Sequence, residues 1–398
     1  MLALIIFLVT YLALAIGRLP GLRVDRTGVA IIGATLMIAS KSISIGQAYA
    51  AIDYNTIILL FGMMIVIANL RLSGFFTLVS AWVVEHAHRP VVLLTAIVCV
   101  SGFFSAFFVN DTMCLVLTPL VLEIARRLRR NPVPYLLAVA MAANIGSVAT
   151  ITGNPQNMMI GSFSGIGYRA FSAGLAPVAA VSLLVVPAVL IAVYRSEFLE
   201  EQPMALDRKA VRVDRPLLWK SLLVSGAMIV FFFAGSPVSE VALIAGTLLL
   251  ITRRVGPEKV YREIDWPLLV MFVGLFIVVA AVDRTPLSAG LVAGATRFHL
   301  ERTSMLTACS AALSNIVSNV PAVLVFKPVV ARLADSHRAW LVLAMSSTLA
   351  GNLTILGSVA NLIVIERARP EVRISFWEYA KTGIPVTVIT LAIGVALL

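Results

Sequence analysis

The chain has 398 residues, of which 60% are hydrophobic and only 13% charged, with a mean hydropathy of +0.98. Soluble domains carry about 25% charged residues, so this surface cannot be clothed for water and an ordinary soluble protein is excluded. The excess of 31 Lys and Arg over 20 Asp and Glu then reads as the basic bias of membrane loops, and binding to nucleic acid is not expected.

In chain order, apolar runs near membrane length occur at 2–18, 28–40, 55–70, 134–161 and 172–194, and again at 216–233, 238–252, 266–283, 339–366 and 379–398. The first lacks a basic leader and a cleavage site and is expected to remain as a span. Two more stretches, 91–125 and 303–334, are each interrupted by polar, turn-prone residues: Asn110-Asp111-Thr112 and Ser318-Asn319-Val320-Pro321. Their halves of about 15 residues are short for a crossing that needs about 20, so both are expected to be re-entrant helical hairpins. The fold class expected is therefore an all-α polytopic membrane protein. With the N- and C-termini outside, 23 basic residues fall on the inner face and 8 on the outer, which sets the orientation.

The chain repeats itself. The segment Ala51-Ile52-Asp53 to Met63 resembles Glu263-Ile264-Asp265 to Leu275 at an offset of 212; Asn110 to Pro119 resembles Asn319 to Pro328 at 209; Thr150 to Asn157 resembles Thr354 to Asn361 at 204. Each unit holds five crossings and one hairpin. Five is odd, so the second unit must be inverted relative to the first, an arrangement on which secondary transporters are built. The expected division is 1–195 (hairpin 91–130, broken helix 134–161), a cytoplasmic linker at 196–215, and 216–398 (hairpin 303–335, broken helix 339–366).

Polar clusters sit where lipid forbids them, at matching places in the two halves. Asn110, Asp111 and Thr112 with Ser318 and Asn319 occupy the hairpin tips; Thr152, Gly153, Asn154 and Asn157 with Thr354, Gly357 and Asn361 interrupt a crossing in each half. Unwound helices leave carbonyls and N–H groups that need a partner, and an ion or polar solute is one. Singly, such residues often serve as interhelical hydrogen-bond glue; their symmetric recurrence favours a binding site. Asp111 is the one acidic residue expected deep in the membrane, where an ionised Asp costs about 2.5–3.5 kcal/mol on insertion scales. It is the candidate coupling residue, by proton or cation, and a helix cap is the plainer alternative. Asp53 and Asp265 are read as helix caps, and Lys327 as snorkelling to the interface. No phosphate loop, HExxH or dinucleotide fingerprint is present, so no enzymatic activity and no bound cofactor or structural metal is expected.

These motifs, NDTMCLVLTP with NIGSVATITGNPQN and SNVPAVLV with GNLTILGSVAN, resemble the ion transporter superfamily of arsenite permeases, citrate permeases and divalent anion–sodium symporters, most closely a bacterial branch of anion permeases. The resemblance implies an inner-membrane permease moving a small inorganic or organic anion by an elevator-type motion, driven by Na+ or H+, with a homodimer common in the superfamily. Sodium would then sit at Asn110, Asn154 and Asn319. The symporters carry Ser-Asn-Thr at both tips; this chain carries Asn110-Asp111-Thr112 and Ser318-Asn319-Val320. Arsenite or antimonite efflux, sodium/proton exchange and an anion channel stand as alternatives.

Overall fold

The computed structural model describes residues 2–16, 24–87, 89–199, 213–285 and 298–398. Most of the expected linker, with Arg18, Arg23, His88 and Arg297, lies outside the described residues. The described chain is all helical, with α1 (Leu2–Ile16), α2 (Arg26–Ala39), α3 (Ile45–Ala51), α4 (Tyr54–Leu72), α5 (Phe75–His86), α6 (Pro90–Phe107), α7 (Asn110–Arg127), α8 (Pro132–Ser147), α9 (Pro155–Ser164), α10 (Tyr168–Val193) and α11 (Arg195–Leu199). There follow α12 (Arg215–Phe233), α13 (Val238–Leu250), α14 (Pro257–Tyr261), α15 (Trp266–Asp283), α16 (Thr303–Val317), α17 (Asn319–Val330), α18 (Ser336–Leu349), α19 (Val359–Ala368) and α20 (Phe376–Leu397). Among the described residues, α4, α6, α10, α12, α15 and α20 are long and apolar enough to cross a bilayer.

Four helices were not foreshadowed by hydropathy, one of them α11 at the start of the expected linker. The short α3 and α14 precede α4 and α15 at matching places, and α5 follows a turn at Gly74, whose φ of +85° is the left-handed conformation that suits glycine. The first hairpin arm is also longer than its expected 15 residues: α6 has 18, starting at Pro90.

The repeat is written into the packing. Helix α4 lies against α13, and α15 lies against α2. At the first crossing a Cβ on Gly62 would come within 2.5 Å of the Ala242 backbone; at the second a Cβ on Gly274 would come within 2.8 Å of the Ala30 backbone. Both residues in one contact stand 212 positions from their counterparts in the other. Small residues let these backbones touch, which is how helices associate where lipid removes the hydrophobic drive. These helices, with α1 and α12, form a scaffold.

Helices α6 to α10 and α16 to α20 form a second body. At its centre α8 is buried along its length from Val133 to Ser147, as α18 is from Ala339 to Leu349. A helix buried on all sides shows no amphipathic stripe and reads as a uniform apolar run. Long-range ion pairs among the described residues, Arg71–Glu263, Arg126–Glu371 and Arg130–Glu197, each join two segments from the arginine-rich side of the sequence.

Candidate functional site

Both central helices break in the same way. Thr150 (φ −142°) and Asn154 (φ −155°) are extended residues flanking one 3-10 turn at Ile151–Gly153; Thr354 (φ −136°) and Ser358 (φ −143°) flank another at Ile355–Gly357. Each helix then restarts under a side-chain cap. Asn154 accepts from the Asn157 N–H at 2.9 Å, and Ser358 from the Ala360 N–H at 3.2 Å.

The freed carbonyls are met by the repeat-related asparagines. The Asn157 amide donates to the carbonyls of Ser147 (3.0 Å) and Thr150 (2.9 Å); the Asn361 amide donates to those of Gly351 (2.7 Å) and Thr354 (2.9 Å). Gly153 and Gly357 are needed because the turn folds back on the helix it leaves: a Cβ on Gly153 would lie 2.1 Å from the Ser147 carbonyl oxygen, and one on Gly357 2.8 Å from that of Gly351. Four of the expected site residues thus hold the breaks open.

The hairpin tips dock on these breaks. Asn110, 3% exposed, donates to Asn144 at 2.9 Å. Asn144 in turn donates to Asn352 (2.8 Å) and Asn361 (3.0 Å) and accepts from Ser358 (3.1 Å), which ties α8 of one repeat to the broken turn of the other. At the second tip Asn319 is 7% exposed. With its amide oriented to suit its neighbours, it donates to the carbonyls of Ser347 (3.0 Å) and Gly357 (3.2 Å) and accepts from Gln156 (3.2 Å). Gln156 and Asn154 also converge on Thr348, the repeat counterpart of Asn144, at 3.2 and 3.3 Å.

A cavity of about 490 Å³ reaches both tips; its walls include Asn110, Asp111, Gln156, Ser318, Asn319 and Ser358. The Asn110 side-chain amide oxygen is buried without a hydrogen-bond partner in the protein, and such a group is able to accept from a donor or bind a cation. Ser318 stands at φ +78°, a conformation that costs a non-glycine residue on the order of 1–3 kcal/mol. Thr112 is half-buried outside the cavity lining, Thr152 bonds to the Tyr168 hydroxyl at 2.9 Å away from it, and Thr354 meets the Asn361 amide through its carbonyl.

The cavity also brings acidic company to Asp111. Asp25, Asp265 and Glu366 line it, with Arg26 the single basic residue among the described walls. Asp265 does cap its helix, accepting from the Leu268 N–H at 3.0 Å, and it lines the cavity as well. Asp53 does not cap: its carboxylate accepts from Thr56 (2.6 Å) and Ser162 (3.0 Å) instead. Asn144, Gln156, Ser358, Asp25 and Glu366 are absent from the expected set. The repeat offset of 204 that pairs Asn157 with Asn361 also pairs Asn144 with Thr348, and that was the available signal.

Residues 4–350 match a family model described as Citrate transporter. The chain belongs to that family. Among curated relatives, the 46 kDa membrane protein of Mycobacterium leprae (strain TN) is 32% identical, covering 98% of this chain and 96% of its own. The silicon efflux transporter LSI3 of Oryza sativa subsp. japonica is 31% identical, covering 95% and 93%. The crystal structure of the Alcanivorax borkumensis YdaH transporter superposes with a TM-score of 0.61 over 100% of this chain and 95% of that one. At 13% identity it speaks to the fold alone. Members of this family are transporters, and the chain is accordingly a multi-pass membrane transporter and not an enzyme.

Proposed function

We propose that the chain is an ion-coupled secondary transporter of a small oxyacid in the bacterial inner membrane, with both termini outside. The observation that carries this reading is the cavity: it joins both hairpin tips, the second broken turn at Leu356 and Ser358 and the start of α9 at Pro155 and Gln156, and its walls carry Asp25, Arg26 and Glu366 from the arginine-rich side. On the opposite side Asp53–Ser162 and Asn55–Ser239 draw the two bodies and the scaffold pairs together, at 3.0 and 3.2 Å. Access from one side at a time is what a carrier needs and a channel lacks. Moving α6–α10 and α16–α20 as a block against the scaffold is the matching elevator-type motion.

The charge of the walls constrains the cargo. Four carboxylates face one arginine, so an anion enters only with its charge cancelled, as the protonated acid or with cations bound beside it. Silicic and arsenous acids are uncharged near neutral pH and meet this condition, and a relative is a silicon efflux transporter. A tricarboxylate such as citrate meets it only with several cations. Asp111 and the free Asn110 oxygen are the coupling groups, taking up a proton or sodium; Ser318 and Asn319 complete the site.

The test is flux in proteoliposomes under an imposed pH gradient, offering silicic acid, arsenous acid and citrate in turn. Wild type is expected to move one of the two uncharged acids against its gradient. Asp111→Asn is expected to bind it while losing the gradient-driven component. Equal uphill transport by Asp111→Asn overturns the coupling role, and citrate flux alone overturns the oxyacid assignment.

A further inference from the structure

The two repeat offsets converge on one pair of positions. Asp53 corresponds to Asp265 at 212, and Ser162 corresponds to Glu366 at 204, with α9 and α19 each 10 residues long. In the first copy the pair is made: Ser162 Oγ donates to Asp53 Oδ1 at 3.0 Å, which joins the start of scaffold helix α4 to α9 of the second body. Helix α4 packs along α9, whereas α15 and α19 do not pack in the corresponding way. Asp265 and Glu366 stand exposed at the cavity mouth. One face of the molecule is latched and its inverted counterpart is unlatched.

In an inverted repeat, the second state of the carrier is reached when each half takes the contacts now made by the other. We infer that Asp265 and Glu366 are the gate of the arginine-rich side, and that it closes when the two carboxyl groups meet and share one proton. Ser162 is a neutral donor, so its latch needs no proton. Its counterpart sets carboxylate against carboxylate. Two carboxylates at hydrogen-bond distance cannot both stay ionised, and the proton that joins them belongs to the pair. It comes from the aqueous side when the gate closes and returns there when the gate opens, so the balance is a proton bound and released, with no other chemistry.

The surroundings do not remove this need. Asp111 from α7 and Asp25 from the start of α2 add negative charge to the same cavity, and Arg26 is the one cation on its described walls. Arg367 and Arg369 follow on the end of α19 itself, and the nearby Arg71–Glu263 pair is self-neutralising. The inference rests on the alternating-access reading above, and adds to it a second proton-linked step, away from Asp111.

The experiment follows closure without any substrate. Leu362 lines the cavity on α19. Leu362→Cys is labelled with a membrane-impermeant maleimide in the full chain, and the modified peptide is quantified by mass spectrometry so that exposed Cys99 does not interfere. Labelling is compared with that in the same protein carrying Glu366→Ser, which recreates the Asp–Ser latch, so that the pH dependence of the thiol cancels in the ratio. At mildly alkaline pH the ratio is expected to be on the order of tenfold, falling towards one at mildly acidic pH as protons close the native gate. Asp265→Asn, which pairs with Glu366 without a proton, is expected to flatten the pH response. A ratio that does not change with pH overturns the inference. So does a flat ratio with labelling raised by Arg26→Gln, which would make Arg26 the neutralising group. Gate and cargo fail separately: pH-dependent labelling with no oxyacid flux sinks the cargo assignment alone, and intact flux with a flat ratio sinks the gate alone.

Discussion

Asn157 and Asn361 are the same bracket used twice: each amide donates to two backbone carbonyls, 10 and 7 residues earlier, across a turn that its helix has abandoned. The two contacts are related by the repeat, and Asn144 joins them through its 3.0 Å bond to Asn361, so the broken helices are shaped by the same chemistry at the centre of one body.

Without Asn361 the buried Gly351 carbonyl loses its side-chain donor, at a cost of about 1–3 kcal/mol, whereas without Asn157 the Ser147 carbonyl keeps the Asn154 amide at 3.3 Å and the Thr150 carbonyl keeps the Gly153 N–H at 3.4 Å. Asn157→Ala and Asn361→Ala are each expected to lower the thermal unfolding midpoint in detergent by several degrees. Asn361 also accepts from Asn144 at 3.0 Å, whereas the Asn157 oxygen has no partner. The loss is expected to be larger at Asn361, and equal or reversed losses would argue against the bracket.

The glycines of the two turns differ in how much room they leave. A methyl group at Gly153 would sit 2.1 Å from a carbonyl oxygen; at Gly357 the nearest atoms are 2.8 Å away, one of them on the Asn315 side chain, which can give. Gly153→Ala is expected to abolish folded protein on size-exclusion chromatography. Gly357→Ala is expected to yield folded protein with a lowered midpoint.

Ser318 pays for its position at the second tip with a φ of +78°. Glycine adopts that conformation without penalty, so Ser318→Gly is expected to raise stability by about 1 kcal/mol while weakening solute binding, through loss of a hydroxyl that lines the cavity. Thermal unfolding with and without solute separates the two effects. A variant that is less stable than wild type would contradict the strain.

The turn between α7 and α8 is fixed by a buried ion pair. Arg130 Nε lies 3.0 Å from Glu197, whose carboxylate also accepts from the Tyr135 hydroxyl at 3.0 Å. Breaking one partner of such a pair costs about 3–5 kcal/mol because the other charge stays buried. Glu197→Ala is expected to be destabilising on that scale, and Arg130→Met with Glu197→Leu to recover most of the loss. Chemical unfolding monitored by tryptophan fluorescence reads both.

Much of this was legible in the sequence because lipid is an unforgiving solvent. Asn110, Asp111, Ser318 and Asn319 betray the tips, since polar residues in an apolar run need a reason. Thr150 to Gly153 and its counterpart betray the breaks in the same way. Less visible was how those residues are spent. Asn157, Asn361, Gly153 and Gly357 read as binding groups until the carbonyls they serve are seen. Asn144 reads as a lone polar residue in a helix, because its partners lie 34, 208 and 217 positions away. Asp265 and Glu366 each resemble an ordinary helix-end charge; only the packing of the second body on the scaffold brings them to the same cavity. Helix α5, with 12 residues, is too short to register as a crossing.

At Gly62 and Gly274 the scaffold helices touch backbone to backbone, with no side chain between them. Sliding either crossing by one residue would drive Phe61 or Met63, or Val273 or Leu275, into the opposing main chain. The frame is therefore keyed like a lock and does not shear. On the elevator-type motion proposed above, displacement is then taken up where the two bodies meet through side-chain tips, and a substitution at either glycine is expected to disturb the frame rather than the binding of solute.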